Sequence, residues 1–135
     1  TAALETRAAR PTILLAVHSY TPVHGDHPAP RPWPVSLLFN KDDSFSQALA
    51  ARLRLRDINV GMNEPYIVDD EGDYAIPIHA ERRGLPHTLI EVRQDLIADA
   101  AGARHWGGIL SECCAEAYAG MVAQIGSKDR RRGPR

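Results

Sequence analysis

The chain has 135 residues, enough for one domain with its own core, and 44% hydrophobic with 24% charged residues is a globular balance. A formal net charge of −1 gives no electrostatic case for nucleic acid or a membrane surface as partner. No apolar run reaches the roughly 18 residues that a membrane helix needs, and no secretory leader pattern is present.

Residues 1–9 read as the end of a helix closed by Pro11. The run Thr12 to His18 is continuously apolar up to its last residue, which predicts a strand covered on both faces, as in a parallel α/β sheet. Pro22, Pro28, Pro30, Pro32 and Pro34 then forbid regular structure and predict a long, stiffened loop. Leaving a strand end, such a loop is a candidate for function. Val35 to Phe39 is a second short strand. A helix over about 44–56 follows, with Phe45, Leu49 and Leu53 at helical spacing and Asp42, Asp43 or Ser44 as its cap.

Ile58 to Met62 is a third strand, running into Asn63-Glu64-Pro65-Tyr66. An acidic stretch and the turn Ala80 to Gly84 lead to a fourth strand over about 87–93. The last helix is expected over about 107–125, with Ile109, Leu110, Cys113, Cys114, Ala117, Met121, Val122 and Ile125 as its apolar stripe and Gly126 as its stop. Strands alternating with helices give an α/β fold with a mostly parallel or mixed sheet flanked by helices. The expected domain is 1–126, followed by a basic, disordered tail at 127–135. Cys113 and Cys114 are adjacent, too close in sequence to bridge without strain, so a reducing cytoplasm is the expected compartment.

Two strand tips carry chemistry. His18 can offer a neutral imidazole nitrogen to a metal, or it is hydrogen-bonded at the base of a loop. Glu91 stands inside Leu89-Ile90-Glu91-Val92-Arg93, where a purely structural strand would carry a hydrophobe. A buried carboxylate is costly unless paired or coordinated. Glu91 is therefore either half of an ion pair with Arg93, its neighbour on the same strand face, or a general base. Arg31, Arg82, Arg83 and Arg93 are candidates to clamp a ligand carboxylate, with Arg93 and Arg83 ranked first. Asn63 and Tyr66 could orient substrate, or serve only the turn around Pro65. His79 and His87 flank the arginine turn at a spacing that matches no compact zinc pair. Thr1 could be the nucleophile of a self-processed hydrolase, but the helical reading of residues 1–9 argues against it.

Taken in order, His18-Ser-Tyr-Thr-Pro22, Arg31-Pro-Trp33, Asn63-Glu-Pro-Tyr66, His79-Ala-Glu-Arg-Arg-Gly-Leu-Pro-His87 and Glu91-Val-Arg-Gln-Asp95 resemble the N-formylglutamate amidohydrolase family. The blocks cover roughly residues 10–110. The resemblance implies a zinc-exopeptidase-like fold and hydrolysis of an N-acyl amino acid, N-formylglutamate to formate and glutamate. It implies His18 as a zinc ligand and Glu91 as the base. It extends only to the C-terminal half of the family, and a catalytic zinc needs three protein ligands. The other ligands are then expected from an N-terminal half, in a longer product or a partner chain. The alternative is a non-catalytic or split-subunit module of the same fold.

Overall fold

The computed structural model describes residues 11–26, 29–68 and 75–131, so the helix end expected over residues 1–9 lies outside the described residues. The strands are β1 (Leu14–Tyr20), β2 (Val35–Leu38), β3 (Val60–Met62) and β4 (His87–Arg93). The helices are α1 (Ser44–Arg54), the short α2 (Ala75–His79) and α3 (Ala100–Arg131), with 3-10 turns at Glu81–Arg83 and Gln94–Ile97. One mixed sheet forms in the order β1-β4-β2-β3, with β1 parallel to β4, β2 antiparallel to β4, and β3 parallel to β2.

Strand alternation sends the two halves of β4 to different layers. Ile90 and Val92 join Val35, Leu37 and Val60 against Phe45, Leu49 and Leu53 of α1 and Cys113, Cys114 and Ala117 of α3. Thr88 points the same way and satisfies its buried hydroxyl with Ser46 of α1 at 2.8 Å. Leu89 faces the opposite side, where it packs with Leu38, Val68 and Ile76 beneath α2. Both cysteines are buried and free, and burial pushes the Cys114 thiol up to about 11. Arg56, just past α1, reaches Glu112 at 2.8 Å and Glu116 at 3.4 Å on α3.

The expected cap of α1 takes a variant form. Asp42 accepts from the Ser44 N–H at 2.9 Å, while the Asp43 side chain makes no capping bond. Burial pushes the Asp42 carboxyl up, but the Ser44 hydrogen bonds outweigh it and hold the group below the usual carboxylate range.

Two expectations are corrected. Among the described residues β1 is an edge strand flanked by β4 alone, and it is not covered on both faces: Leu15 is exposed and Val17 is 62% exposed. A continuous apolar run records what the strand is made of, not which neighbours the sheet supplies. The last helix is longer at both ends than 107–125. Asp99 caps it by accepting from the Gly102 N–H at 2.7 Å, a start hidden by a glycine-rich, weakly periodic first turn. At the other end Gly126 does not stop it, because an isolated glycine costs only about 1 kcal/mol against alanine in a helix. The helix thus takes in 127–131 of the stretch expected to be a disordered tail, and 132–135 lie outside the described residues. Val122 is exposed rather than in the apolar stripe.

A close approach at Gly61 decides where the proline-rich loop can rest on the sheet. A Cβ there would stand 2.5 Å from the Ser36 Oγ and 2.9 Å from the Trp33 Cγ, so only glycine lets Trp33 lie against β3. Gly61→Ala is expected to cost about 1–3 kcal/mol through overpacking, read from urea denaturation. Asp99→Ala is expected to cost about 1 kcal/mol through loss of the cap, while leaving the environment of Trp33 unchanged.

Candidate active site

The register of the sheet aligns four residues in one row. His18 pairs with Glu91 across β1 and β4, Glu91 with Ser36 across β4 and β2, and Ser36 with Gly61 across β2 and β3. Paired residues point to the same face, so His18 and Glu91 stand side by side, with Trp33 lying over Gly61 at the far end of the row. The His18 Nδ1 is 3.9 Å from the Glu91 Oε1. That is a facing arrangement rather than a hydrogen bond. The His18 side chain is 54% exposed and that of Glu91 10%, so the acid is sunk into the sheet while the imidazole opens toward solvent.

Two residues further along each strand, Tyr20 and Arg93 are partners in the same ladder. The fork of Arg93 is turned to Asp95 and to the proline-rich loop. Arg93 donates from Nε and Nη2 to the two carboxylate oxygens of Asp95, at 2.7 and 3.1 Å, and from Nη1 to the Arg31 carbonyl at 2.9 Å. The Arg93 hydrogen bond is the chief reason the Asp95 carboxyl sits below its ordinary range. Arg93 is thus occupied on every side of its fork, and its observed work is to tie the end of β4 to the proline-rich loop.

Arg31 is the anchor of that loop. It is buried, its guanidinium carbon lying 5.3 Å from the Tyr20 ring centre and 5.1 Å from that of Tyr66. Its Nη1 donates to the Thr21 carbonyl at 3.0 Å and the Thr21 hydroxyl at 3.4 Å, and its Nη2 to the Tyr66 hydroxyl at 2.9 Å. The Tyr20 hydroxyl in turn donates to the Trp33 carbonyl, and burial pushes its pKa up. His18, Glu91, Tyr20, Arg93, Arg31 and Tyr66 therefore form one connected neighbourhood at the carboxyl ends of β1 and β4.

The remaining candidates lie elsewhere. Asn63 ends β3 at the opposite end of β2, takes a left-handed conformation (φ 53°), and accepts from the Phe39 N–H at 2.9 Å, which is turn chemistry. Arg82 and Arg83 sit in the 3-10 turn that precedes the start of β4, about 13 Å along the strand from Glu91 by its rise. Arg83 donates there to the Ile78 carbonyl at 2.7 Å. The turn ends on Gly84 in the left-handed region (φ 63°). His87 is buried at the same end, its Nδ1 2.7 Å from the Leu85 carbonyl and its Nε2 3.6 Å from Glu81. Glu81 also accepts from Asn40 at 3.1 Å and from the Lys41 N–H at 2.8 Å, so this group fastens the turn after β2. His79 closes α2 nearby.

Sequence reasoning passed over Tyr20, Trp33 and Asp95. Tyr20 was within reach, since strand alternation from His18 puts it on the same face. The glycine inside β3 was the signal for Trp33.

Among the described residues no three His, Cys, Asp or Glu side chains are grouped to hold a metal ion. The residues present offer one half-exposed imidazole beside one buried carboxylate, which is a fraction of a zinc site.

The crystal structure of gene product Atu2144 from Agrobacterium tumefaciens superimposes on the chain with a TM-score of 0.79 at 27% identity, covering 90% of this chain and 47% of that one. The chain thus spans about half the length of that neighbour. No curated protein matches it. The family model for N-formylglutamate amidohydrolase matches residues 1–98, which hold all four described strands, and on that match the chain belongs to the N-formylglutamate amidohydrolase family.

Proposed function

We propose that this chain is the half of an amide hydrolase that carries the general base, acting on an N-acyl amino acid, with N-formylglutamate as substrate and formate and glutamate as products. The observation that carries the reading is the pairing of a sunken carboxylate with an open imidazole, Glu91 and His18, at adjacent strand tips in a member of an amidohydrolase family. Glu91 takes a proton from water as its oxygen bonds to the acyl carbon. The same proton then passes to the departing nitrogen as the carbon–nitrogen bond breaks, so the carboxylate ends as it began. A zinc ion, with His18 as one ligand, would polarise the acyl oxygen and acidify the water. Its other ligands belong to the part of the fold that this chain does not contain. Arg31, Arg93 and Tyr66 stand where the amino-acid end of such a substrate would lie, while Asn63, Arg82 and Arg83 lie away from it.

The open edge of β1 supports a partner supplying the other half, whether from the same product or a second polypeptide. It presents exposed Leu15 and Val17 on a strand that, among the described residues, is paired on one side, the kind of edge that proteins normally cover. Among the described residues no helix is long and apolar enough to cross a membrane, and two buried free thiols accord with a reducing cytoplasm as the setting. The incomplete ligand set favours a second reading, a non-catalytic module of the same fold. Metal analysis of the assembled protein separates the two, since stoichiometric zinc accompanies only the first.

Glu91→Gln in the assembled enzyme is expected to lower kcat by about 10²–10⁴-fold, the range of a positioned acid–base group; a fall of less than tenfold, measured as formate release, removes the base role. Val17→Asp is expected to leave the stability of the chain within about 0.5 kcal/mol, as for an exposed site, yet to abolish association with the complementary half in size-exclusion chromatography.

A further inference from the structure

We propose that His87 and Glu81 share a buried proton, forming an imidazolium–carboxylate clasp that fastens the turn after β2 to the start of β4. The clasp lies about 13 Å along β4 from Glu91 by the strand rise and takes nothing from the hydrolase reading.

The surroundings of the ring dictate where its hydrogens sit. The His87 side chain is fully buried, so each ring nitrogen needs a partner inside the protein. Nδ1 is 2.7 Å from the Leu85 carbonyl, an oxygen that can only accept, so Nδ1 carries a hydrogen. In a neutral ring that leaves Nε2 as a bare lone pair. Among the described residues Nε2 makes no hydrogen bond, and it faces the Glu81 Oε1 at 3.6 Å.

With no proton between them, a lone pair and a carboxylate oxygen would be held face to face out of water, where their repulsion is poorly screened. One proton turns the same contact into an ion pair, and a closure of roughly 0.7 Å makes it a charged hydrogen bond. Both Glu81 oxygens already accept from donors, Oε1 from the Lys41 N–H at 2.8 Å and Oε2 from the Asn40 side chain at 3.1 Å. The shared proton is therefore placed on the ring.

The other charged groups of this end are set further off or turned away. Asp42, in the turn into α1, feels the ring: burial pushes its carboxyl up, the Ser44 hydrogen bonds pull it down, and His87 adds a smaller pull the same way. Arg82 and Arg83 are exposed, with Arg83 donating to the Ile78 carbonyl, and Lys41 is exposed. His79 ends α2. β1 sets Leu14 beside His87 in register, and α1 contributes the neutral Ser46 next door at Thr88.

Three pieces of chain meet in the clasp: the turn after β2, the 3-10 turn at Glu81–Arg83 and the first residue of β4. Loss of the proton sets anion against lone pair. The part able to give way is the exposed 3-10 turn, because Thr88 and Leu89 fix the strand in buried packing. The clasp thus adds stability while the folded ring holds its proton. That contribution falls away as the pH is raised, since the unfolded ring gives up its proton at about pH 6.5.

Nitrogen-15 NMR of the 135-residue chain at about pH 7, where an unperturbed histidine is mostly neutral, reads the ring directly. The expected His87 signature is two protonated ring nitrogens. Glu81→Gln keeps the shape of the side chain and removes its charge, so the ring should then show one protonated nitrogen, Nδ1. In urea denaturation at about pH 6.5, Glu81→Gln should weaken the folding equilibrium by about tenfold or more, the effect of a hydrogen bond to a charged group. The gap should narrow as the pH is raised to about 9. An unprotonated Nε2 in the wild-type chain, a ring that keeps both hydrogens in Glu81→Gln, or a stability gap that ignores pH would overturn the proposal. The wild-type spectrum alone decides the matter if the variant does not fold.

Discussion

The parallel ladder between β1 and β4 is the constraint on which the rest of the site depends. It sets His18 against Glu91 and Tyr20 against Arg93, residue by residue. A slip of one position would turn every β1 side chain to the other layer, putting Val17 beside the acid and His18 among the aliphatic groups facing the helices. The register is held by what lies on both faces of β4. Ile90 and Val92 are packed against α1 and α3, Leu89 against Val68 and Ile76, and Thr88 is bonded to Ser46. β4 is thus packed on both faces, and β1 takes its register from β4.

Around that ladder the polar groups are arranged so that each charge has a distinct task. Asp95 takes the Nε and Nη2 donors of Arg93, while Glu91 faces the His18 imidazole. Arg93 then spends its last donor on the Arg31 carbonyl, so the strand that carries the acid also fixes the loop that carries the buried guanidinium. Trp33 completes the loop by resting on the one β3 residue without a side chain.

Much of this was legible from the chain. β4 was expected at about 87–93 and is found at His87–Arg93, and the mixed sheet and the helix after Ser44 follow their patterns closely. Glu91 announced itself as an acid in a run of hydrophobes, and five ordered blocks pointed to the family that the match over residues 1–98 bears out. What stayed hidden depended on neighbours. An apolar run cannot say whether it lies at the centre or the edge of a sheet, so the openness of β1 was invisible. Arginines cannot be ranked without knowing which acids stand beside them, which is why Arg93 and Arg83 drew attention before Arg31. The early start of α3 hung on a single aspartate hydrogen bond, a local event that periodicity does not register.

The pairing of β1 with β4 also has a kinetic side. These strands stand at opposite ends of the sheet's chain order, with β2, α1, β3 and α2 all between them. Closing so long an intervening stretch is entropically the most expensive contact in the sheet, and such contacts slow the search for the native state. The imidazole and the acid are therefore brought together by the costliest closure in the sheet, and a chain in which that ladder has not formed holds neither group in working position.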